Sequence, residues 1–534
     1  MVFLIVGSLT VQKVVSAMIV LGSLLASPWL ISELLGGNII PLILLAGGAF
    51  LIFFLSVLGD KCWLIVPLCL PMSGSLNCLP VKFSPSELAV LLVIIYVFMR
   101  FIFTSRRSLY FGPPQLWFPL LIIFFILLYH TIISGGLGLN MFGGESAGSR
   151  KVFSIFISFL ALPAILWFPP VGKEWLHRIP LLFLLGSLAE FFPYTVSSIA
   201  PSLAPFIFRI YSNVNLDTYA STVALAGSED FIGRIVVLGS LSLGIQSVLL
   251  AYFPPRDWLR PSRWFVPILS MTSLFASIFS GFRSNLFNFL LLSFFAFFFR
   301  LRAIALLFLP ALALMVVILC VGQGTAFTLP LSVQRTLSPF PGRWDARVVQ
   351  NTGSSDDFRK MIADIYVDET MQNSGLLGLG YKYSAKYMQD RGSSFADMYK
   401  LVSKEDSIRG YIEARDHHVG WVAVHHPIGW LGFACFVIFC ACTLGYCLLH
   451  ILRTPVSLVT PLQVWACSLI SMNIFSFFSV FGALNLFLPQ VLPLLAISII
   501  SFRESRYNDS PSPSLDGNKD SGLPRLVSTG LPHA

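Results

Sequence analysis

Three arginines lie close to the ends of apolar segments, where a positive charge is costly unless it is hydrated or paired. Arg283 follows Gly281 in a tight break between two apolar segments and opens the second of them. Arg234 follows Gly233 at the start of another apolar segment, and Arg209 lies in the loop before it. A guanidinium beside a helix N-terminus combines its fork of donors with free backbone N–H groups. These positions predict an anion-binding site, and the alternative for each residue is a side chain that extends to the lipid headgroups.

A group of histidines forms the second candidate for chemistry. Four of the eight histidines fall within ten residues, namely His417, His418, His425 and His426. Because the pKa of histidine lies close to neutral pH, one of them is a candidate general base at the membrane surface. Two alternatives are interfacial polar residues without chemistry and a metal site, although neighbouring histidines on a helix point their rings apart. The nine cysteines show no CxxC pair and no Cys/His grouping with zinc spacing, so neither a metal nor a cofactor is predicted.

The composition decides which elements must position these residues. Only 11% of the 534 residues are charged and 56% are hydrophobic, whereas a soluble domain carries about 25% charged residues. Lipid must therefore be the solvent for much of the chain. Backbone groups find no water in the bilayer core, so helices are the natural spanning elements, and runs that are apolar on every face do not fit a β-barrel. The sequence predicts an all-α polytopic membrane protein.

Apolar runs of spanning length predict about 14 transmembrane helices (12–14), with four regions along the chain. An N-terminal bundle of about 11 spans covers 1–322, a large loop 323–417, three C-terminal spans 418–501, and a disordered tail 502–534. The span at 61–73 is short and proline-rich, and a re-entrant segment is the alternative there. The predicted spans lie at 14–35, 39–58, 61–73, 84–103, 113–134, 150–169, 178–194, 231–253, 263–281, 284–300, 302–322, 418–449, 457–478 and 480–501.

The distribution of charge predicts the orientation of these spans. With fourteen spans both termini lie on one side, and assigning that side to the cytoplasm gives it fifteen basic residues in short loops and tails, against six on the other side. The loop 323–417 is then outside. It has no net charge, with twelve Lys/Arg and twelve Asp/Glu over 322–417, so the excess of +9 belongs to the short connections. Because no basic stripe alternates with aromatic residues, nucleic acid is not an expected partner. Within the loop, the pattern after Ser354 predicts a capped helix at 358–371 and a second helix at 384–389.

The order of motifs from 281 to 432 resembles the O-antigen ligase/polymerase superfamily of bacterial envelope glycosyltransferases. Those proteins have a Gly-Ser-Arg-Gly-like turn that leads into a span, followed by a long periplasmic loop with an arginine-rich start and a Pro-Leu-Leu-Gly-x-Gly turn. The loop closes with a His that is followed after ten residues by Gly-x-x-Gly. The corresponding residues here are Gly281-Phe-Arg283-Ser284, Arg335-Thr-Leu, Asp357-Phe-Arg359, Ser374-Gly-Leu-Leu-Gly378-Leu-Gly380, His418 and Gly429-Trp-Leu-Gly432. Val419 stands where the family usually has Asn, Pro427 replaces a common Glu, and the neighbouring His417 is an alternative to His418.

The resemblance implies a reaction. The family moves a glycan from undecaprenyl pyrophosphate to a sugar hydroxyl on the periplasmic face of the bacterial inner membrane. It implies that Arg283 and Arg234, together with Arg209, hold the pyrophosphate, and that His418 takes the acceptor proton, so His418 and Arg283 are the expected catalytic residues. A metal is not required because the arginines supply the charge. Partners are then the lipid-linked donor, the bilayer, and an acceptor that is either a glycan (polymerase) or the lipid A core (ligase).

Other functions fit an apolar chain of this kind. A lipid-linked oligosaccharide flippase or another transporter is the main alternative, although no internal repeat is apparent. A structural or assembly protein of the membrane and a peptidoglycan-type polymerase are further alternatives.

Overall fold

The computed structural model describes residues 57–79, 83–103, 112–134, 149–168, 172–212, 235–258, 260–381, 408–409, 412, 415, 417, 419–480 and 482–509. Helices account for 82% of these residues, and the described sheet is one antiparallel pair of two-residue strands. Those strands are β1 (Ser75–Leu76) and β2 (Tyr211–Ser212), with Ser75 opposite Ser212. The prediction of an all-α membrane protein is confirmed at this level.

The described α-helices are α1 Ile65–Cys69, α2 Pro85–Phe103, α3 Pro114–Ile133, α4 Ser149–Leu166, α5 Lys173–Ile199, α6 Ala204–Ile210, α7 Val236–Tyr252, α8 Phe265–Phe279, α9 Arg283–Leu301, α10 Phe308–Gly322, α11 Leu331–Leu337, α12 Ala346–Ile365, α13 Met371–Ser374, α14 Gly420–Arg453, α15 Pro461–Ser479 and α16 Leu484–Asp509. Short 3-10 segments lie at Gly59–Leu64, Pro201–Leu203, Pro255–Asp257, Pro261–Arg263, Arg302–Leu307 and Val456–Leu458, and a π-helical turn at Tyr366–Thr370 joins α12 to α13.

The number of spans differs from the prediction. Among the described residues, six helices are long and apolar enough to cross a membrane, which does not fit a count of about fourteen. These helices are Pro114–Ile133, Lys173–Ser197, Arg283–Leu307, Gly420–Arg453, Pro461–Ser479 and Leu484–Glu504. Apolar composition locates a segment but does not fix its helical length. The shorter apolar helices Val237–Tyr252, Phe265–Phe279 and Ala313–Gly322 rise by less than the roughly 30 Å thickness of a bilayer core.

Two further differences follow from local structure. The predicted span at 61–73 is a 3-10 turn followed by the five-residue helix α1, which is too short to cross a bilayer. The predicted span at 14–35 lies outside the described residues, as does the predicted span at 39–58 except for its last two residues. At the other end, α16 continues to Asp509, past the predicted start of the tail at 502, and 510–534 lie outside the described residues.

Apolar side chains cover the outer faces of the helices. On α3, for example, Phe118, Phe125 and Ile133 are between 59% and 65% exposed. A water-soluble protein rarely leaves so many large apolar side chains uncovered, so these faces are suited to contact with lipid. The centre of the described bundle is formed by α15 and α16, whose apolar segments are 72% and 78% buried.

The spans carry distinct groups at their two ends. At one end, Arg283 opens α9 and bonds a helix of the large loop. At the other end of α9, Nη2 of Arg302 donates to the carbonyl oxygens of Ile451 (2.6 Å) and Thr454 (2.8 Å), where α14 stops. The nineteen residues of α9 rise by about 28 Å, close to the thickness of a bilayer core. Arg283 and Arg302 therefore lie about one bilayer-core thickness apart along α9.

The loop helix α12 starts earlier than predicted. Its N-cap is Asp345, whose Oδ1 accepts a hydrogen bond from the backbone N–H of Arg347 at 2.9 Å, and the helix runs from Ala346 through the predicted cap at Ser354. The prediction of a helix start at 358 was therefore wrong, because an acidic N-cap further upstream satisfies the free N–H groups. The second predicted loop helix, at 384–389, lies outside the described residues.

Candidate functional site

The break between α8 and α9 is built around the buried side chain of Ser280. Its Oγ accepts a hydrogen bond from Nδ2 of Asn285 (2.9 Å) and donates to the carbonyl of Ser277 (2.6 Å). Gly281 adopts a φ of 70°, which allows the chain to turn sharply into α9. The backbone N–H of Ile235 donates to the carbonyl of Ser280 at 3.0 Å. The break therefore fixes both the first residue of α9, Arg283, and the start of α7.

Arg283 forms a two-pronged ion pair with the large loop. Its Nη1 and Nη2 donate to Oδ2 and Oδ1 of Asp356 at 2.9 Å and 2.7 Å. Hydrogen bonding from Arg283 lowers the pKa of the Asp356 carboxyl. The Asp356 side chain is 53% exposed, so water screens this pair and it contributes little stability. An exposed pair of this kind holds the guanidinium in position but can separate when a stronger anion binds.

Three arginines line one cleft of about 870 Å³ beside this ion pair. Arg283 comes from the start of α9, Arg335 from the last turn of α11, and Arg359 from α12. Arg335 is only 6% exposed, so its position depends on the packing around it. The described lining residues include no carboxylate. The other lining residues are polar or apolar and include Phe282, Asn285, Leu286, Phe287, Leu290, Thr336, Phe340 and Phe358.

The electrostatics of this cleft, hereafter the arginine cleft, favour an anion. Burial lowers the pKa of Arg359, the charge of Arg283 lowers it further, and Asp356 raises it in part. The two guanidinium groups therefore repel each other, and an anion between them would relieve this repulsion. The aromatic and aliphatic walls exclude water, which strengthens such an interaction. Charge beside apolar walls suits a phosphate that is attached to a hydrocarbon chain.

The three described histidines of the predicted group, His417, His425 and His426, form a buried cluster close to the start of α14. Nδ1 of His426 lies 2.8 Å from Nε2 of His417, with the ring centroids 4.8 Å apart. Nδ1 of His425 lies 2.6 Å from the hydroxyl of Tyr366, which also lies 3.1 Å from Oγ of Ser374. Burial raises the pKa of Tyr366 to about 12, so its hydroxyl keeps its proton at neutral pH and can donate. The neighbouring rings of His425 and His426 therefore face different partners.

The glycine turn of the loop is docked on the histidine segment through backbone atoms. The N–H groups of Leu379 and Gly380 donate to the carbonyls of His426 (2.9 Å) and Pro427 (3.1 Å). These carbonyls are available because α14 is kinked at Gly429, where φ is 65° and ψ is −168°. A Cβ added at Gly429 would lie 2.3 Å from the backbone nitrogen of Gly378. The two glycine-containing motifs singled out in the sequence are therefore in direct contact.

The helix α12 connects the arginine cleft to the histidine cluster. Asp356, the partner of Arg283, and Tyr366, the partner of His425, are ten positions apart on α12 and its π-helical extension. This corresponds to a rise of about 15 Å. The two groups lie at the same end of the spans, but the described histidines are not among the residues that line the cleft.

The structure places the predicted site residues Arg209, Arg283 and His417 at different locations and does not describe two others. Arg234 and His418 lie outside the described residues. Arg209 is described at the end of α6, where it lines a separate cavity of about 880 Å³ together with Glu87, Arg150 and Lys151. The structure therefore does not bring Arg209 into the arginine cleft. Arg283 is in the cleft, and His417 is buried against His426.

Several residues of the site were not predicted as such. Arg335 and Arg359 carried the family resemblance but were not assigned to anion binding, and their convergence depends on how α11 and α12 fold back onto α9. Tyr366 gave no signal in the sequence, where it resembles an ordinary core residue. In the structure, Tyr366 is the first residue of a π-helical turn, a feature that is frequent at functional sites.

Among the described residues, no group of three or more His, Cys, Asp or Glu side chains is arranged to hold a metal ion. No protein-family model matches the chain, and no curated protein matches it either.

Proposed function

We propose that this protein is a membrane glycosyltransferase that moves a glycan from undecaprenyl pyrophosphate to a sugar hydroxyl. The observation that carries this function is the convergence of Arg283, Arg335 and Arg359 on one cleft with aromatic walls. A lipid-linked diphosphate has the matching chemistry, since its charge suits the guanidinium groups and its polyprenyl chain suits the apolar walls.

The arginines also suit the chemical step. As the glycosidic bond to the pyrophosphate breaks, negative charge grows on the leaving oxygen, and guanidinium groups already in place stabilise it. Arg283 would exchange the carboxylate of Asp356 for the diphosphate, which brings more negative charge. Arg234 remains a predicted ligand of the same group, and the contact of Ile235 with Ser280 supports this assignment. The reaction requires no metal, because the arginines supply the positive charge.

A base must remove the proton from the acceptor hydroxyl, and His418 remains the predicted residue. The engagement of His417 with His426 and its burial support the choice of His418 over His417. The acceptor is either a second glycan, as in a polymerase, or the lipid A core, as in a ligase. The site would lie at the periplasmic face of the bacterial inner membrane, with both termini in the cytoplasm.

The proposal is tested by reconstitution in liposomes with an undecaprenyl-pyrophosphate oligosaccharide and each of the two acceptors. Product chain length reports polymerisation, and label on the lipid A core reports ligation. We expect Arg283→Ala to lower the rate roughly 100-fold, equal to about 3 kcal/mol of transition-state stabilisation, and His418→Ala to abolish transfer.

The matched control is Arg409→Ala, which removes another loop arginine from an exposed ion pair with Glu369. This variant should keep wild-type transfer, because exposed pairs contribute little. Full activity in both Arg283→Ala and His418→Ala would contradict the assignment. Movement of the donor across the bilayer without bond exchange would instead identify a flippase.

A further inference from the structure

A third cavity lies where four helices end, away from the arginine cleft. Its volume is about 880 Å³, and it is lined by the start of α5, the end of α14, the start of α15 and the last turns of α16. Among the described residues, none that lines it also lines the arginine cleft. The charged and histidine residues of its lining are Lys173, Glu174, His177, Arg178, His450, Arg453 and Glu504.

The length of α15 places this cavity at the opposite membrane surface. Thr460 and Gln463, at the start of α15, line the cavity, whereas Ser479, its last residue, lines the arginine cleft. The nineteen residues of α15 rise by about 28 Å, and the hydrocarbon core of a bilayer is about 30 Å thick. The two cavities therefore lie at the levels of the two headgroup layers.

The charge of this cavity favours a monovalent anion. Three permanent cations, Lys173, Arg178 and Arg453, face two carboxylates, Glu174 and Glu504. The start of α15 adds the positive end of a helix dipole, and its capping box between Thr460 and Gln463 fixes that end in place. The two carboxylates oppose a highly charged anion but can accept hydrogen bonds from hydroxyl groups. A phosphodiester whose headgroup carries hydroxyls has this combination.

Apolar side chains complete the walls. Leu176, Leu458, Leu462 and Phe502 line the cavity, and the ring of His450 stacks on that of Phe502 with centroids 4.8 Å apart. A basic pocket between transmembrane helices at the level of the headgroups is a favourable place for an anionic lipid. We infer that this cavity binds the headgroup of an anionic phospholipid with a hydroxylated headgroup, such as phosphatidylglycerol. This inference does not depend on the proposed transferase activity.

The test is thermal unfolding of the full-length protein in detergent during titration with phosphatidylglycerol, phosphatidylethanolamine or phosphatidylcholine, with native mass spectrometry of the bound lipid. Phosphatidylglycerol should raise the melting temperature and remain bound, whereas the other two lipids should not. Each of Lys173→Ala and Arg453→Ala should weaken the apparent affinity about fivefold, as expected for one cation near an anionic headgroup. The matched control is Arg260→Ala, which removes an exposed arginine paired with Asp257 outside this cavity.

Three results would overturn the inference. Equal binding of phosphatidylethanolamine would show that net negative charge is not recognised. Equal stabilisation by free glycerol phosphate would identify a soluble phosphate ligand. Unchanged affinity in the double variant Lys173→Ala/Arg453→Ala would show that the lipid binds elsewhere. If that variant melts below the wild type in phosphatidylcholine, Arg453→Gln, which removes the charge but keeps most of the side chain, replaces it in the same titration.

Discussion

Two of the described contacts between the large loop and the spans differ in kind. Beside the arginine cleft, α12 is joined to the start of α9 by the half-exposed ion pair of Asp356 with Arg283. At the histidine cluster, the contacts are buried, through the hydrogen bond of Tyr366 with His425 and the close approach of Gly378 to Gly429. Both attachments involve the same helix, α12, with its π-helical extension.

The difference indicates which attachment can open. Buried hydrogen bonds and backbone contacts are costly to separate, because polar groups would lose their partners within a packed interior. An exposed ion pair exchanges readily with water or with a stronger anion. We therefore expect the histidine end to be the permanent anchor of the loop and the arginine end to be the part that admits a ligand.

The largest effect is expected at Gly429. The substitution Gly429→Ala places a Cβ 2.3 Å from the nitrogen of Gly378 at a φ of 65°, so the glycine turn must separate from α14. Strain together with the loss of this contact should lower the free energy of unfolding by more than about 2 kcal/mol. Thermal unfolding in detergent measures the change. Gly445→Ala is the control in the same helix, where the added Cβ has no neighbour within 4 Å, and equal melting of the two variants would contradict the anchor.

A smaller effect is expected at Tyr366. The substitution Tyr366→Phe removes the hydroxyl between His425 and Ser374 and leaves a buried imidazole nitrogen without this partner. The expected loss is about 1.5 kcal/mol of stability, close to the cost of an unsatisfied buried group. The measurement is the same melting curve, compared with Tyr129→Phe, whose side chain is exposed on α3. A Tyr366→Phe protein as stable as the wild type would mean that this hydrogen bond does not hold the loop.

The smallest effect is expected at Asp356, and it depends on pH. Because the pKa of the folded carboxyl is lowered, its stabilisation is present above the ordinary pKa of about 3.9 and is lost as the pH falls through the lowered value. Asp356→Asn should remove this dependence and cost less than about 1 kcal/mol at pH 7. Limited proteolysis of the loop between pH 7 and pH 3 measures this dependence on pH. If the loop opens fully in Asp356→Asn at pH 7, the ion pair and not the histidine cluster would be the anchor of the loop.

The sequence predicted some parts of this site better than others. Arg283 was recognised because a charge beside a glycine break in an apolar run is unusual at the level of the local sequence. Arg359 was quoted only as part of a motif, because its proximity to Arg283 arises from the fold of the loop over the membrane. The contact between the turn at Gly378 and the kink at Gly429 was not predicted, although both glycines had been noted. A backbone contact between segments that are distant in the chain leaves no periodic pattern in the sequence from which it could be predicted.

The sequence by itself determined the solvent of this protein. A chain with only 11% charged residues must bury its helices in lipid. The tertiary structure alone decided the length of each helix, the break of the segment at 61–73, and the convergence of three arginines on one cleft. Hydropathy is a sum over neighbouring residues, whereas these features depend on packing between residues that are far apart in the chain.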